Sequence, residues 1–546
     1  MKKSFKILSS AVLGLAAVAC SSPEKMAEMA ENVSVQCDPA VLEVVADKIN
    51  ATVTVTYPAD YFHPKAILEV TPVIVYEGGE AKMTPFTYQG EDVKDNYKVV
   101  PSDGATVTEK VSFDYVPGME KSYLELRGVV KYKNKTVEMP TKKAADGANA
   151  TYMLVCKDGK ADYKADNYQE IIKQTAEGQI LYTINSSVVR NSQLSSESIK
   201  NFQAAIDEIK ANERKAITST DIVAYASPDG GEELNAKLSD KRSETAEKAF
   251  GKVTKKHEVE APVNVTSVGQ DWEGFKELVA ESDIEDKDLI IRVLSMYSDP
   301  EVREKEIKNM SAVYQSLKKE ILPELRRARF IANVEFTNYT NEELLALIDE
   351  NIDILDEEAL LRAASVVKDN ASKVEIYKKA IEKYASARAQ YNLGVAYINS
   401  NDLSNAKAAL AKAEKDADWQ NAMGVIALRE GDNAAAAKYF AASGNATSKE
   451  NAAILDILSG KYADAAAKLA SAENSSNKVL AYILTGQLDK ASAAATCDCP
   501  KTSYLKAVIA ARQGNADNVK KYIEAASKDS KLAERATKDI EFAQYK

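Results

Sequence analysis

The order of hydrophobic and polar positions changes character three times along the chain. From 35 to 150 the pattern has period two. Thr52-Val53-Thr54-Val55-Thr56-Tyr57 alternates, as does Val111-Ser112-Phe113-Asp114-Tyr115, and 124–132 makes a longer run. Gly78-Gly79, Ser102-Asp103-Gly104 and Pro117-Gly118 punctuate these runs with turn residues. Short strands at this spacing predict a β-sandwich with one wet face. The polar, small-residue stretch 142–147 reads as a linker. Beyond it, strand patterns at 179–184, 221–226 and 263–268 alternate with helical ones at 195–211 and 232–250. Ile199, Phe202, Ala205, Ile206 and Ile209 share one helical face. Residues 272–320 are helical and highly charged, and 326–336 reads as an exit from helix to strand. This order predicts an α/β domain over 178–337 with a helical insertion.

The last third, 341–546, repeats. Leu393, Gly394 and Tyr397 precede Ala406, Leu410 and Ala413. Met423, Gly424 and Ala427 precede Gly431, Ala436 and Phe440. Turns at Asn401, Gly431, Gly460, Gly486 and Gly514 fall 30, 29, 26 and 28 residues apart. Small residues let two helices cross closely, and a turn Gly or Asn tolerates positive φ. This pattern resembles tetratricopeptide repeats, with a period shorter than the usual ~34. The resemblance implies an all-α solenoid whose concave surface takes a protein partner, with 341–386 as leading helices. The period-two region, in turn, is similar to immunoglobulin-like sandwiches. Its aromatics Tyr57, Tyr61, Phe62, Tyr76, Phe86 and Tyr88 read as core, with a ligand face as the alternative.

At the N-terminus Lys2, Lys3 and Lys6 precede an apolar run over 7–18, too short for a stable membrane span. It ends in Ala17-Val18-Ala19-Cys20, which resembles a bacterial lipobox, with Ala17 where Leu is usual. The resemblance implies a signal peptide over 1–19, lipidation of Cys20, a tether over 20–34 and anchorage in the outer membrane, since Ser21 rather than Asp follows the Cys, and a periplasm-facing orientation, since Glu24, Glu28 and Glu31 are scattered and form no acidic tract. The alternative is an ordinary secretory signal cut after Ala19. The net charge of −11 and pI ≈ 5.2 argue against a nucleic-acid partner.

Ile222-Val223-Ala224-Tyr225-Ala226-Ser227-Pro228-Asp229-Gly230, followed by Asn235, Leu238, Ser239 and Arg242, resembles the core motif of OmpA-like domains. That pattern is roughly G-H-T-D-x-x-G, then N-x-x-L-S-x-x-R-A. Leu325-Arg326-Arg327-Ala328-Arg329-Phe330 is similar to the family's closing element. The resemblance implies peptidoglycan binding, with an Asp taking the diaminopimelate ammonium and an Arg its carboxylate. The Arg falls on Arg242. The Asp position is Ser227, a neutral hydroxyl, with Asp229 two residues on as a substitute. Ser227, Asp229, Asn235 and Arg242 are therefore the candidate peptidoglycan-binding residues.

Only two histidines occur, His63 and His257. With no nucleophile–base pair, P-loop, dinucleotide fingerprint or metal-ligand spacing, the sequence predicts neither a catalytic residue, a cofactor nor a metal. Cys37 and Cys156 flank the first domain and are candidates for a disulfide. Cys497-Asp498-Cys499-Pro500 reads as two ordinary thiols or a local bridge. The expectation is a multidomain, non-enzymatic envelope lipoprotein. It would act as a scaffold between membrane, wall and partner, or as an accessory binding a glycan or outer-membrane protein through its β-domain.

Overall fold

The computed structural model describes residues 22–545, so Cys20 and the signal segment expected over 1–19 lie outside the described residues. The chain forms two compact units, one made of 1–164 with 387–546 and the other of 165–386.

In the first unit, the strands are β1 (Ser34–Asp38), β2 (Val41–Val45), β3 (Lys48–Tyr57), β4 (Ile67–Tyr76), β5 (Gly79–Lys82), β6 (Phe86–Gln89), β7 (Lys98–Val99), β8 (Ala105–Asp114), β9 (Ser122–Tyr132), β10 (Lys135–Glu138) and β11 (Lys142–Asn149). Hydrogen bonding joins them into one mixed sheet, where two separate sheets were expected. Its main path runs β1-β3-β2-β11-β9-β4-β6-β7, and β11–β2 and β6–β7 are parallel. Period two does its work in β3, where Val53, Val55 and Tyr57 are buried while Thr54 and Thr56 pair with Thr108 and Thr106 on the outer side.

Two expectations need correction here. The stretch 142–147 is no linker. It belongs to β11, in the middle of the sheet, because its small residues fit a crowded place. Ala145 and Ala148 are buried, and a Cβ on Gly147 would lie 2.5 Å from Leu42 Cβ. Nor is 20–34 a loose tether where it is described. Pro23–Glu28 is a helix capped by Ser22, and Met26 and Ala30, four residues apart, are buried in the β-domain.

The same unit contains the helical array. Its hairpins are Ala387–Asn399 with Leu403–Leu410, Ala417–Arg429 with Asn433–Ser443, Ala446–Leu458 with Tyr462–Leu469, Ser476–Leu484 with Leu488–Ala494, and Pro500–Arg512 with Ala516–Ala526. Asn401, Gly431, Gly460, Gly486 and Gly514 all have positive φ, between 57° and 86°. At the crossings, a Cβ on Gly394 would lie 2.6 Å from Leu410, and one on Gly424 2.5 Å from Phe440. A helix Ser530–Lys538 and a 3-10 turn Ile540–Tyr545 close the chain against the β-domain. There Glu541 bonds Asn149 (2.8 Å), Thr151 (2.8 Å) and Arg512, and Arg535 reaches the Ala150 carbonyl (2.7 Å).

The second unit holds β12 (Ile171–Leu181), β13 (Lys215–Ala226), β14 (Val263–Gln270) and β15 (Arg327–Thr337), in the order β12-β15-β13-β14. Only β13–β14 is parallel among these described strands. The helices Glu197–Ala211 and Glu232–Thr254 bury Ile199, Phe202, Ile206, Ala246 and Phe250 against Ile180, Ile222, Phe330 and Ala332. The insertion forms four helices, Trp272–Glu281, Lys287–Met296, Pro300–Asn309 and Ser311–Glu320, with a core of their own around Phe275, Ile290 and Leu317. The helices between 341 and 384 pack in this second unit, not at the head of the array as expected. Arg214 pairs with Glu343 at 2.8 Å and stacks on Tyr339, which ties them to the sheet.

Candidate functional site

The motif residues meet at the C-terminal end of β13, where the loop 227–231 leads into the helix Glu232–Thr254. Asn235, on the first turns of that helix, donates to the carbonyls of Ser227 (3.0 Å) and Gly230 (2.7 Å) and so fixes the loop. Ser239 accepts the Gly269 amide at 3.1 Å and draws β14 to the helix. The Asn–Ser half of the motif thus works as local bracing.

Arg242 is fully buried. Its Nε donates to the Ser186 carbonyl at 3.0 Å, Nη1 to Tyr225 at 2.8 Å and Nη2 to Thr183 at 3.3 Å, while the guanidinium lies 4.9 Å above the Tyr182 ring. Burial pushes it down to about 10, so it remains a cation at neutral pH. It therefore holds three main-chain carbonyls of the chain itself.

Asp229 is similarly engaged. It accepts from the Ser227 hydroxyl and from Arg326 Nη2 at 3.3 Å, and Arg326 Nε lies 3.3 Å from Ser227 Oγ. The two side chains are only 14% and 11% exposed. The place where a ligand ammonium would be needed is filled by an arginine of the closing element. From the other side, Lys308 donates to the Asp229 carbonyl at 3.3 Å. The gap among Pro228, Asp229, Trp272, Phe275, Ile307 and Tyr314 is about 10 Å³. That is at the limit for one water molecule.

Sequence reasoning missed the neighbouring pair Asp271–Arg327, at 2.9 Å and almost wholly buried. Asp271 also caps the helix Trp272–Glu281 through the Gly274 amide (2.9 Å). A Cβ on Gly274 would lie 2.2 Å from Arg327 Nη2. Burial raises the Asp271 carboxyl, against the pull of Arg327. An Asp three residues before a Gly at a helix start is the signal that could have found it.

A second constellation lies inside the array. Residues 155–164 run as an extended strap across the first helices of the hairpins. Asn477 accepts the Cys156 amide (2.7 Å) and donates to its carbonyl (2.9 Å). Asn451 does the same for Lys160 (2.9 and 2.8 Å), helped by Asn421 at 2.9 Å. Asn392 does the same for Lys164 (2.7 and 2.9 Å). Asn392, Asn421 and Asn451 are at most 3% exposed. Tyr391 donates to the Asp162 carbonyl, Arg429 to that of Asp158, and the Lys164 ammonium pairs with Asp416. At Gly159 the φ is +64°, and a Cβ there would meet Val425 at 3.2 Å. The peptide groups of Cys156, Lys160 and Lys164 are each satisfied on both sides by one amide side chain, which is what an extended chain away from any sheet requires.

The remaining predicted residues are placed as follows. Tyr57, Tyr61, Phe62 and Tyr88 are buried, with Tyr57 stacked on Tyr61 and edge-on to Phe62 and Tyr88, so they belong to the core, with Tyr76 and Phe86 half-buried beside them. Cys37 and Cys156 are free thiols. The expected bridge does not form: Cys37 faces Val53 across β1–β3, whereas Cys156 donates to Asp158 at 3.0 Å. His257 pairs with Asp207 at 2.6 Å, and His63 rests against the Tyr132 ring. Among the described residues no helix is long and apolar enough to cross a membrane. Compared with protein-family models and with curated proteins, the chain matches none.

Proposed function

We propose that this chain is a non-enzymatic scaffold lipoprotein of a bacterial envelope, anchored through Cys20 in the outer membrane and facing the periplasm. In this proposal the central unit is an OmpA-like module and the array a tetratricopeptide-type solenoid. The observation that carries the reading is the asparagine clasp. Asn392, Asn421, Asn451 and Asn477 recur at the repeat spacing, and each of them bonds the backbone of one extended segment. Such an array grips chain and builds a stiff body.

The clasp also shifts where a partner docks. The inner face already holds residues 155–164, so a protein partner takes the outer helices of the array. The module keeps the wall-side position implied by its resemblance, without a diaminopimelate contact through Arg242. That guanidinium is committed to Ser186, Tyr225 and Thr183, and Asp229 is neutralised by Arg326.

The anchorage is tested by metabolic labelling with a radioactive fatty acid and membrane fractionation of wild type and Cys20→Ser. Label and membrane association are lost together in the variant. A Cys20→Ser chain that still carries label and sediments with membranes rejects the proposal. The scaffold role is tested by in-cell crosslinking from outer-face positions such as Lys438 and Lys520. A defined envelope protein captured from those sites, and not from strap positions, is the expected result.

A further inference from the structure

Cys497 and Cys499 differ from the other two described thiols. Both are exposed, whereas Cys37 and Cys156 are half-buried with thiols raised by burial. The Cys499 amide donates to Cys497 Sγ at 3.2 Å, which holds the Cys497 sulfur against the backbone of Cys499. Cys499 is also the cap residue of the thirteen-residue helix Pro500–Arg512, whose first free amides favour negative charge on its sulfur. Its Sγ lies 3.3 Å from Thr502 Oγ1. Asp498, the acid between the two thiols, is paired with Lys506 at 3.0 Å, which blunts its repulsion of a thiolate. Burial alone would raise Cys499, but the bonds from Cys497, Thr502 and the backbone outweigh it and hold the thiol below its usual range. These are the conditions under which a thiol becomes a nucleophile with a second thiol ready to resolve it.

We propose that Cys497 and Cys499 form a dithiol that exchanges with disulfides of other molecules. The Cys499 thiolate attacks one sulfur of an external disulfide, forms a mixed disulfide and expels the other half as a thiolate. The Cys497 thiol then loses its proton and attacks Cys499 Sγ. The Cys497–Cys499 bond forms, the mixed bond breaks and the second half leaves as a thiolate. Two thiols of the protein are oxidised and one disulfide is reduced to two thiols. This chemistry is independent of the envelope proposal, because it depends only on the Cys497 sulfur held at the Cys499 amide and on the helix start beside them.

The test is equilibration of the full-length chain in detergent with reduced and oxidised glutathione at a series of ratios, followed by acid quenching and peptide mapping. The expected product is a peptide with an internal 497–499 bond that forms and disappears as a two-electron couple, while Cys37 and Cys156 stay reduced at the same ratios. In Cys497→Ser the glutathione adduct persists on Cys499, since nothing resolves it. Iodoacetamide modifies Cys499 at least about fivefold faster than Cys37 or Cys156 at pH 7. Separate glutathione adducts on Cys497 and Cys499 at every ratio, with no internal bond, would overturn the proposal. So would equal alkylation rates at all four thiols.

Discussion

Asn451 holds Lys160 by both of its main-chain groups, accepting the amide at 2.9 Å and donating to the carbonyl at 2.8 Å across 291 residues of sequence. The same Nδ2 reaches Asn421 Oδ1 at 2.8 Å, so two hairpins share one contact with the strap. Replacing Asn451 by Ala leaves the half-buried Lys160 amide without its acceptor and takes a donor from Asn421. The expected loss is about 1–3 kcal/mol in urea unfolding followed by near-ultraviolet dichroism. Limited proteolysis locates it, because cleavage within 157–163 accelerates in Asn451→Ala. An unchanged cleavage rate there would mean that the strap is held by its ends alone.

Arg242 is expected to act as a brace. Arg242→Lys keeps the charge but supplies one ammonium for three carbonyls at diverging angles and loses the stacking on Tyr182. A loss of about 3 kcal/mol or more is expected, consistent with breaking a buried charged network. Calorimetry that resolves the transition of the second unit measures it. A variant as stable as wild type, with altered retention on cell-wall sacculi instead, would restore Arg242 as a ligand-binding residue.

Arg326 gives the complementary experiment. It stands against Asp229, so removing it in Arg326→Ala leaves a carboxylate that needs a cation. Wild-type chain is expected to co-sediment with purified sacculi only at background level, and Arg326→Ala to be retained severalfold more, with the gain lost as salt rises. Strong wild-type retention that Arg326→Ala abolishes would show that Arg326 itself binds the wall.

Much of this arrangement was readable in the residues, and the exceptions have a common cause. The turns at Asn401, Gly431, Gly460, Gly486 and Gly514 and the crossings at Gly394 and Gly424 are local requirements of backbone geometry, so the sequence displays them directly. The strand–helix alternation of the second unit is likewise local. Asn392, Asn421, Asn451 and Asn477 follow the same period but look like ordinary polar helix residues, because their partner lies more than 200 residues upstream. The strand β11 was hidden because its Ala and Gly residues suit a crowded sheet centre as well as a loop. Ser227 and Asp229 stand two residues apart in the sequence, while the cation that neutralises Asp229 comes from Arg326, about a hundred residues on, and only the fold places it there.

Acid should loosen the closure of the first unit through Glu541. Its side chain is 7% exposed. Burial would raise it, but hydrogen bonds and charge from Arg512, with Asn149 and Thr151, hold it below the ordinary glutamate range. A folded-state value below the unfolded one means that the unfolded chain binds the extra proton. The contribution is therefore fully present above the unfolded value, about 4.3, and is lost as pH falls through the folded one. Urea midpoints of wild type should drop on acidification below about pH 5. Glu541→Gln should be weaker at pH 7 by about 1–3 kcal/mol, since Arg512 loses its charged partner, and should show a shallower acid limb. An acid limb of equal slope in the variant would assign the effect to other carboxylates.

The first unit is discontinuous in sequence, and its two ends are close together. Lys164 is clasped by Asn392, and its ammonium lies 5.1 Å over the ring of Tyr391. The second part of the unit resumes at Ala387, five residues before Asn392 on the same helix. At 1.5 Å per residue that is about 7.5 Å of helix, which a flexible linker of about eight residues spans. Deleting 165–386 and joining Lys164 to Ala387 through such a linker should therefore leave the β-domain, strap and array folded. The deletion should keep a single cooperative urea transition and keep the strap protected from protease. The insertion adds its whole length to every loop that the strap closes, so deleting 165–386 shortens each of these loops and favours folding slightly. Loss of cooperativity, or rapid cleavage at 157–163 in the joined chain, would show that the clasp depends on the second unit.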